Sequence, residues 1–275
     1  MIYNKIFSYL NNKLIKYNDI KGYKKISHNT KNNQKYLIKN NPLISIYIPT
    51  FNRKKLLEIR SIPSVLNQTY KNFELLVIGD RCTDDSEKFI KSLKDPRIVF
   101  KNIHYKKKPF PETKENLWLA GEVLAANHAL DLCKGEWIAR LDDDDVFTND
   151  HLEKLLNFAN SNNFEFVSGT SVSKINNRDV IHNPPFLHSD YFKNTKYKIM
   201  NNNVQLGAHS TWLYKNYLKN FKYNINCWRK DWNRVNDVDL AQRLFISGVK
   251  MGYLNEPVLI QNPRPGNTNV GFKAL

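Results

Sequence analysis

The stretch Gly135-Glu-Trp-Ile-Ala-Arg-Leu-Asp-Asp-Asp-Asp145 carries the clearest structural signal in the chain. Its short apolar run is followed directly by four aspartates, Asp142 to Asp145. An acidic cluster in a solvated turn repels itself and has no fixed shape. At the C-terminal tip of a buried strand, the same carboxylates are held at the edge of a sheet. There they can bind a hard divalent cation and, through it, a diphosphate. The preceding apolar run favours this second interpretation.

Strands and helices are predicted to alternate on both sides of this stretch. Leu43-Ile-Ser-Ile-Tyr-Ile48 and Phe73-Glu-Leu-Leu-Val-Ile78 are apolar runs typical of buried strands. Further strands are predicted at Arg97–Phe100, Trp137–Leu141, Phe164–Ser168 and Glu256–Gln261, and helices at Lys54–Gln68, Thr83–Leu93, Leu117–Cys133, Asn149–Asn160 and Val238–Ser247. This alternation predicts an α/β, Rossmann-like fold whose mostly parallel sheet is flanked by helices.

The pattern divides the chain into regions of different character. Residues 1–40 form a Lys/Asn-rich extension, and residues 41–265 form one domain. Within that domain, residues 41–170 have the regular alternation of a nucleotide-binding half. Residues 171–265 are less regular, with loop-like segments at Asn183-Pro-Pro185 and Asn201-Asn-Asn203, and suit an acceptor-side half. Residues 266–275 are read as a tail.

The positive charge of the chain is concentrated at its N-terminal end. The formal net charge is +16, and residues 1–40 hold nine lysines against one acid, Asp19, which is half of that excess. A nucleic-acid-binding protein would instead carry a basic folded face with aromatic platforms. Because the predicted strand ends are acidic, no nucleic-acid partner is expected.

Cysteine usage and hydropathy predict a cytoplasmic protein. Cys82, Cys133 and Cys227 lack metal-type spacing and read as reduced thiols. No apolar run approaches the roughly 18 residues of a membrane span. Asn11, Asn12 and Lys13 interrupt any signal-peptide core.

The N-terminal segment has apolar residues at helical spacing, with lysines between them. The set comprises Ile2, Ile6, Tyr9 or Leu10, Leu14 and Tyr17. A basic amphipathic helix of this kind can lie on an anionic membrane, at the inner face of the cell membrane for a cytoplasmic protein. A solvated tail or a helix that caps the domain fits the same pattern, and both interpretations stay open.

From about Leu43 to Pro265 the chain resembles the family-2 glycosyltransferases with the GT-A fold. The resemblance is carried by five segments in register: Ile48-Pro-Thr-Phe-Asn-Arg53, Val77-Ile-Gly-Asp-Arg-Cys-Thr-Asp-Asp-Ser86, the stretch 135–145 with its DXD motif, Asn236-Asp-Val-Asp-Leu-Ala-Gln-Arg243, and Arg264-Pro-Gly266. It implies transfer of a sugar, with inversion, from a nucleoside diphosphate sugar to a hydroxyl of a glycan or lipid-linked acceptor. A UDP-sugar donor and Mn²⁺ or Mg²⁺ are expected.

The resemblance also implies roles for residues on the donor side. Asp142 and Asp144 form the DXD pair, with Asp144 as the metal ligand and Asp142 on the ribose or a metal-bound water, while Asp143 is the variable position. In an extended chain Asp142 and Asp144 would point to one side. Pro49, Thr50 and Asp80 are expected to contact the nucleotide. Asp80 could instead cap the following helix, although Thr83 is available for that.

Asp237 is the implied general base for the acceptor hydroxyl. From the residues alone, it fits equally well as a carboxylate that stabilises the dipole of the helix that follows. Two departures from the family pattern are visible: Gly79 precedes a single Asp80, and Asn236 replaces the Glu of the Glu-Asp motif.

Two further residues are candidates for the donor pocket. His209 could line it or act as a hydrogen-bonded structural residue, and Arg243 is either structural or phosphate-facing. The rival functions are a catalytically inactive sugar-nucleotide-binding module and, with less support, a nucleic-acid-binding protein. A nucleotidyltransferase would need a Gly-rich, basic triphosphate loop after the first strand, which the sequence lacks.

Overall fold

The computed structural model describes residues 2–32, 40–175, 178–181, 206–229 and 235–262. The strands in these ranges are β1 Ile44–Thr50, β2 Phe73–Asp80, β3 Ile98–Ile103, β4 Trp137–Arg140, β5 Asp145–Phe147, β6 Phe166–Ile175, β7 Arg178–Ile181, β8 Leu213–Lys215 and β9 Met251–Gln261. The α-helices are α1 Ile2–Asn32, α2 Lys54–Leu56, α3 Ile62–Leu66, α4 Ser86–Ser92, α5 Lys114–Ala120, α6 Val123–Leu132, α7 His151–Asn162 and α8 Asn236–Ile246.

The strands of the described ranges form one sheet in the order β3-β2-β1-β4-β8-β6-β9-β5, with β7 paired to β6. The first four strands in that order are parallel to one another. Beyond β4 the sheet is mixed, because β8 runs antiparallel to both of its neighbours and β5 is antiparallel to β9. The predicted α/β fold is therefore confirmed, with antiparallel pairs gathered in the later part of the sheet.

Helices cover both faces of the parallel strands. All seven residues of β1 are buried, and successive side chains point to opposite faces. Tyr47 belongs to a core shared with α5, α6 and α8, whereas Ile46 and Ile48 belong to a core shared with α7 and the helical segment after β1. The two layers make the sheet rigid, so the loops at its carboxyl edge start from fixed positions.

The carboxyl ends of β1, β2 and β4 meet at one edge of the sheet. Thr50 is in register with Gly79, one residue before Asp80, and Tyr47 is in register with Arg140, two residues before Asp142. This register brings together the three segments that the sequence analysis assigned to the nucleotide and the metal. It is also where ligands bind in open α/β sheets.

Gly79 is required by the packing at this edge. A Cβ atom at this position would lie 2.7 Å from the Asn102 side-chain oxygen. That oxygen accepts a hydrogen bond from the Cys82 backbone N–H, and the Asn102 amide donates to the Cys82 carbonyl, so Asn102 holds the turn after Asp80. The single acidic residue of the Gly79-Asp80 pair therefore has a steric reason.

Several predicted helix boundaries differ from the structure because loop side chains end or begin the helices. The helix predicted at Lys54–Gln68 is α2, a π-helical turn at Leu57–Ser61, and α3. The helix predicted from Thr83 begins at Ser86, and the one predicted from Leu117 begins at Lys114, where the Thr113 hydroxyl caps it. That second helix is also divided at Gly121–Glu122 into α5 and α6. The last predicted strand, Glu256–Gln261, extends back to Met251 as β9.

The N-terminal extension contains α1, which touches α8 and the 3-10 segment Asn216–Phe221. Its contact with the domain is centred on Tyr23, which is only 8% exposed. The Tyr23 hydroxyl donates to Glu165 Oε2 at 2.6 Å, and its ring lies 6.3 Å from that of Phe221. Among the described helices, none has the length and apolar character needed to cross a bilayer.

Parts of the sequence analysis fall outside the described residues. These are the loop-like segments 183–185 and 201–203, the Arg264-Pro-Gly266 turn and the tail 266–275.

Candidate functional site

A cavity of about 500 Å³ opens at the carboxyl edge of the parallel strands. This volume is in the usual range of small-molecule sites. Seven of the eight site residues predicted from the sequence line it: Pro49, Thr50, Asp80, Asp142, Asp144, His209 and Asp237. The strand register and the start of α8 thus bring residues from distant parts of the chain into one site.

Arg243 is not among the described lining residues, so the structure does not bring it together with the other predicted site residues. Its side chain is buried and pairs with Asp239, one turn earlier on α8, at 2.8 Å between Nε and Oδ2. It also donates to the backbone carbonyls of Phe221, at 2.7 Å, and Lys222. Since these partners occupy the guanidinium, Arg243 fixes the segment before α8, which is the structural alternative.

The acidic cluster is folded into a turn. The Asp145 N–H donates to the Asp142 carbonyl at 3.2 Å, so the expected alternation of an extended chain does not apply here. As a consequence, Asp142, Asp143 and Asp144 all line the same cavity. Asp145 begins β5 and does not cap α7, whose N-cap residue is Asp150.

Asp143, the variable position of the DXD motif, is a structural centre of the cluster. Its buried carboxylate accepts hydrogen bonds from the Thr50 hydroxyl at 2.8 Å and from Arg53 Nη1 at 2.7 Å. Burial raises the pKa of Asp143 to about 6, while the neighbouring guanidinium opposes that rise. Asp143 therefore links the loop after β1 to the loop after β4.

Arg53 supplies a positive charge to the cluster. Its Nη1 atom also lies 3.2 Å from Asp144 Oδ2, and its side chain is 36% exposed and lines the cavity. Sequence reasoning gave Arg53 no role of its own, although it ends the Ile48–Arg53 motif. A basic residue in the loop after a strand, facing a predicted acidic loop, was the available signal.

A buried arginine, Arg140, holds the carboxylate of Asp142 in place. Arg140 is fully buried, and its Nε and Nη2 atoms lie 3.0 and 2.7 Å from Asp142 Oδ1. It also donates to the Glu122 carboxylate, which lines the cavity from the α5–α6 turn. Although burial works against the charge, Glu122 and Asp142 hold the pKa of Arg140 well above its ordinary value.

Glu122 is a site residue that the sequence analysis missed. A buried guanidinium requires acidic partners, so Arg140 inside a buried strand predicted such a partner but not its position. Burial raises the pKa of Glu122, and the charge on Arg140 counteracts this. Glu122 and Asp142 together balance the charge below the cavity.

Asp237 lies in the first turn of α8 and is half-buried at the cavity wall. Its Oδ1 atom accepts the Val238 N–H at 2.7 Å. Burial raises the pKa of Asp237 to about 6; the Val238 N–H lowers it, and the Glu122 carboxylate raises it further. Asp237 therefore fits both interpretations. It lies at the start of a helix, where its carboxylate can stabilise the helix dipole, and it also faces the cavity.

Asn236, which stands in place of the family's Glu, has a structural contact. Its buried side chain donates from Nδ2 to the Leu119 carbonyl at 3.0 Å, which ties the start of α8 to the end of α5. This contact fixes the position of the neighbouring Asp237 relative to the α5–α6 turn.

Asp80 lines the cavity at the end of β2. Its carboxylate accepts from Lys108 Nζ at 2.5 Å and from the Tyr105 hydroxyl. Neither Asp80 nor Thr83 caps the next helix, because α4 begins at Ser86, whose N–H bonds to Asp84 Oδ1 at 3.3 Å. The alternative role of Asp80 as a helix cap is therefore wrong.

His209 combines the two roles considered for it. It lines the cavity, and its Nε2 atom lies 2.6 Å from the Tyr223 hydroxyl, which in turn lies 2.6 Å from the Tyr47 hydroxyl. Burial, together with Arg140, lowers the pKa of His209 well below its ordinary value, so the ring is neutral near pH 7. Its 4.0 Å approach to Glu122 is therefore not an ion pair.

The acidic cluster is suited to a divalent cation that is shared with a ligand. Within the described ranges, no three His, Cys, Asp or Glu side chains converge on one point to hold a metal alone. Mg²⁺-type sites commonly use one or two carboxylates and complete their shell with substrate phosphates and water. The oxygen donors of Asp142 and Asp144 fit this chemistry, and the cluster already attracts one cationic group, that of Arg53.

Fold and site together define an α/β protein with a cavity and an acidic cluster at the carboxyl edge of its parallel strands. Residues 45–220 match the family described as glycosyl transferase family 2. This match covers well over half of the chain, and the chain belongs to that family.

One curated relative illustrates the level of similarity. The UDP-Glc:α-D-GlcNAc-diphosphoundecaprenol β-1,3-glucosyltransferase WfgD of Escherichia coli is 33% identical over 139 residues, which are 50% of this chain and 49% of that protein. The chain spans less than half the length of the curated relatives it matches first.

Solved structures share the fold. TarS 1-349 of Staphylococcus aureus, in complex with UDP-GlcNAc, has a TM-score of 0.57 at 15% identity, covering 81% of this chain and 59% of that one. The mannosyltransferase PcManGT of Pyrobaculum calidifontis, in complex with GDP-Man and Mn²⁺, has a TM-score of 0.55 at 12% identity, covering 93% of this chain and 68% of that one. The fold is the GT-A fold of glycosyltransferases, as the sequence analysis expected.

Proposed function

We propose that the chain is an inverting, metal-assisted glycosyltransferase of polysaccharide biosynthesis. It would move a sugar from a UDP-linked donor to a hydroxyl of a lipid-linked glycan. The observation that carries the proposal is the meeting of Asp142, Asp144 and Asp237 in one cavity of about 500 Å³. Family membership supports the reaction class. The shared cavity supports the roles assigned to the donor-side and acceptor-side carboxylates.

The nucleotide would lie between the ends of β1 and β2. Pro49, Thr50 and Asp80 line this part of the cavity, and Asp142 lies beside them on a fixed arginine support. Asp80 would then accept a hydrogen bond from the base or the ribose in addition to those from Lys108 and Tyr105. A uridine nucleotide is supported by the names of two similar proteins, one with UDP-Glc and one in complex with UDP-GlcNAc.

Asp144 would be the protein ligand of Mn²⁺ or Mg²⁺. A divalent cation there neutralises charge on the departing diphosphate. A fold neighbour is in complex with Mn²⁺, which supports this choice of metal. Arg53 would add a second positive charge beside the diphosphate, because Asp143 holds its guanidinium at 2.7 Å.

Asp237 would act as the general base. With its pKa at about 6, it is mostly deprotonated at neutral pH yet more basic than an ordinary aspartate. The acceptor hydroxyl would give its proton to Asp237 as its oxygen attacks the anomeric carbon. The bond to the diphosphate breaks on the opposite side, so the configuration is inverted in a single displacement.

The proposed acceptor implies a location at a membrane. A lipid-linked acceptor stays at the bilayer surface, and the printed name of WfgD includes a diphosphoundecaprenol carrier. We therefore place the enzyme at the inner face of the cell membrane, in contact with it through the basic residues 1–40.

A catalytically inactive sugar-nucleotide-binding module is the second candidate. It is favoured by Asn236, which removes one carboxylate from the acceptor end of the site. The two candidates differ in turnover and share donor binding.

Thermal stability with candidate donors tests the proposal. A donor at about one hundred times its Kd stabilises the folded state by about 2.7 kcal/mol, or roughly 5–10 °C in Tm for a chain of this size. We expect UDP-sugars with Mn²⁺ to produce such a shift, and Asp144→Ala to lose it. Asp150→Ala, at an exposed aspartate outside the cavity, is the control.

Two outcomes would count against the proposal. If no nucleoside diphosphate sugar raises the Tm, the donor assignment is wrong. If UDP-sugars bind but no sugar reaches a diphosphoundecaprenol-linked acceptor, the chain is the inactive module.

A further inference from the structure

The first half of α1 carries a stripe of exposed apolar side chains, which we call the apolar stripe. It consists of Ile6, Phe7, Tyr9, Leu10, Leu14 and Tyr17, each more than half exposed. At about 100° per residue, these six positions fall within an arc of roughly 160° on one side of the helix. Asn11 and Asn18 lie outside this arc, about 20–40° beyond its Phe7 edge. A contiguous apolar surface of this kind marks a binding site.

The same side of the helix changes from apolar to basic along its length. After Tyr17, positions in the same arc are occupied by Lys21, Lys24 and Lys25, all exposed. Averaged over all of α1, the two halves cancel, so the helix as a whole does not have one apolar and one polar side. The amphipathic part is confined to the first half.

The second half of α1 is attached to the domain. Tyr23 is buried there, bonded to Glu165 and packed against Phe221. Both interpretations left open by the sequence therefore find a place on the helix: its second half caps the domain, and its first half presents the apolar stripe.

We propose that the apolar stripe is a docking surface for an anionic lipid bilayer. Apolar side chains would enter the boundary between headgroups and acyl chains, while the lysines that follow would meet lipid phosphates. The charge of the segment selects this partner: residues 1–40 hold nine lysines and one acid. Two copies packed stripe to stripe would bring these lysines together, which is unfavourable.

Docking in this way would hold the domain at the bilayer surface, because Tyr23 ties α1 to the domain. A lipid-linked substrate is found at that surface. This inference deepens the membrane contact in the proposed function and rests on it, and the vesicle assay tests that contact separately from sugar transfer.

Co-sedimentation with vesicles tests the proposal in the absence of donor and acceptor. We expect the full chain to sediment with vesicles of phosphatidylglycerol and phosphatidylcholine, and much less with phosphatidylcholine alone. The double variant Leu10→Gln, Leu14→Gln should partition at least about tenfold more weakly. The matched control Asn11→Gln, Asn18→Gln alters residues of the same helix outside the arc of the stripe and should bind like the wild type.

Each remaining outcome would overturn the assignment. The wild type could stay in the supernatant with phosphatidylglycerol vesicles, or the two double variants could sediment alike. Size-exclusion chromatography with light scattering provides the third outcome. If the wild type is a dimer, the leucine double variant is a monomer and vesicle binding is unchanged, the stripe binds a second copy of the chain. Because no substrate is present, failure of the proposed transferase activity would not produce any of these results.

Discussion

Asp143 and Asp237 both line the cavity, and burial raises the pKa of each carboxyl group to about 6. Their surroundings differ in kind. Asp143 is held by Thr50 and Arg53, whereas Asp237 accepts only a backbone N–H among its described hydrogen bonds. A carboxylate with basic character and few fixed partners is suited to accept a proton, and one that is fully bonded is suited to hold a neighbour in place.

Replacing Asp237 by Asn tests the base directly. The variant keeps the shape and the hydrogen bond to Val238 but cannot accept a proton. We expect kcat to fall by about 10²–10⁴-fold, the range that a general base contributes, while the affinity for UDP-sugar with Mn²⁺ stays unchanged. Calorimetric titration with the donor and a steady-state transfer assay measure the two quantities. Retention of most of the activity would show that another group removes the proton.

The pH dependence of kcat/KM should reflect the raised pKa of Asp237. The base is active when deprotonated, so kcat/KM should be constant above about pH 7 and fall as the pH drops through about 6. Burial is the main cause of the raised pKa of Asp237; the Val238 N–H and the charge of Arg140 lower it, and the carboxylates of Glu122 and Asp142 raise it further. Because Asp143 titrates in the same range, the profile of Asp143→Asn is the control and should keep the acidic limb. A profile that is flat down to pH 5 contradicts the assignment.

Arg53 should contribute to diphosphate binding without any metal. Loss of a charged hydrogen-bond donor costs about 1.5–3 kcal/mol, so Arg53→Gln should weaken UDP binding in EDTA by about 10- to 100-fold. Lys54→Gln is the matched control, because Lys54 pairs with Glu58 on its own helix. Titration calorimetry of both variants measures the effect. Equal affinities would show that Arg53 only supports Asp143.

At this scale, sequence reasoning located residues whose chemistry is tied to a motif. Asp142, Asp144 and Asp237 were placed in one site because each occupies a motif position at a strand end or helix start. Sequence reasoning missed Glu122 because its position is set by pairing with Arg140, and it left the role of Arg243 open because two of its partners, the carbonyls of Phe221 and Lys222, are distant in sequence. Local patterns do not encode such long-range pairs.

At the scale of elements, close packing at the end of β2 fixes the turn that carries Asp80. The strands themselves were predictable, because β1 and β2 are continuous apolar runs stopped by loop residues. Helix limits were less accurate: Asp84 delays the start of α4, and the Thr113 hydroxyl advances the start of α5. A sequence pattern is a weak indicator of side-chain capping by loop residues. The helices were therefore predicted correctly, but their first residues differ from the structure.

Two glycine substitutions distinguish the effect of close packing, at Gly79, from the effect of backbone flexibility, at Gly22. Gly79→Ala places a methyl group 2.7 Å from the Asn102 oxygen and should destabilise the protein by about 1–3 kcal/mol. Gly22→Ala, in α1, meets nothing within 4 Å and should stabilise it by about 0.5–1 kcal/mol. Urea unfolding of both variants measures the two free energies. If Gly79→Ala is neutral, the turn after β2 is able to relax, and the steric account of Gly79 is wrong.

At the scale of the whole molecule, the buried carboxyl group of Asp237 lowers the free energy of unfolding at neutral pH. A carboxyl whose pKa is higher in the folded state favours the protonated form, so deprotonating it in the fold costs free energy. For Asp237 this cost appears as the pH rises from the ordinary value, 3.8, to about 6 and is constant above that. Catalytic readiness at neutral pH and maximal stability are therefore opposed.

The difference in stability between Asp237→Asn and the wild type should follow this sign. We expect the variant to be more stable at roughly pH 7.5, with the difference shrinking as the pH falls towards roughly 4.5, because Asp237 is then largely protonated in the folded state and the pH approaches its ordinary pKa of 3.8. Urea unfolding at the two pH values gives the difference, and the contribution of Asp143 cancels because both proteins contain it. A constant difference would mean that Asp237 is not the titrating group.

The mixed part of the sheet has a consequence for how the chain is made. β4 is bordered by β8, and β5 is closed by β9 through the pair Asp145 and Gln261. During synthesis, therefore, β4 and β5 each have an unpaired edge until β8 and β9, which come much later in the chain, have left the ribosome. Unpaired edges are prone to associate with other chains. Fragments that stop before Leu213 should accumulate as aggregates in cells, and a chaperone that shields strand edges would meet its substrate at this interval of translation.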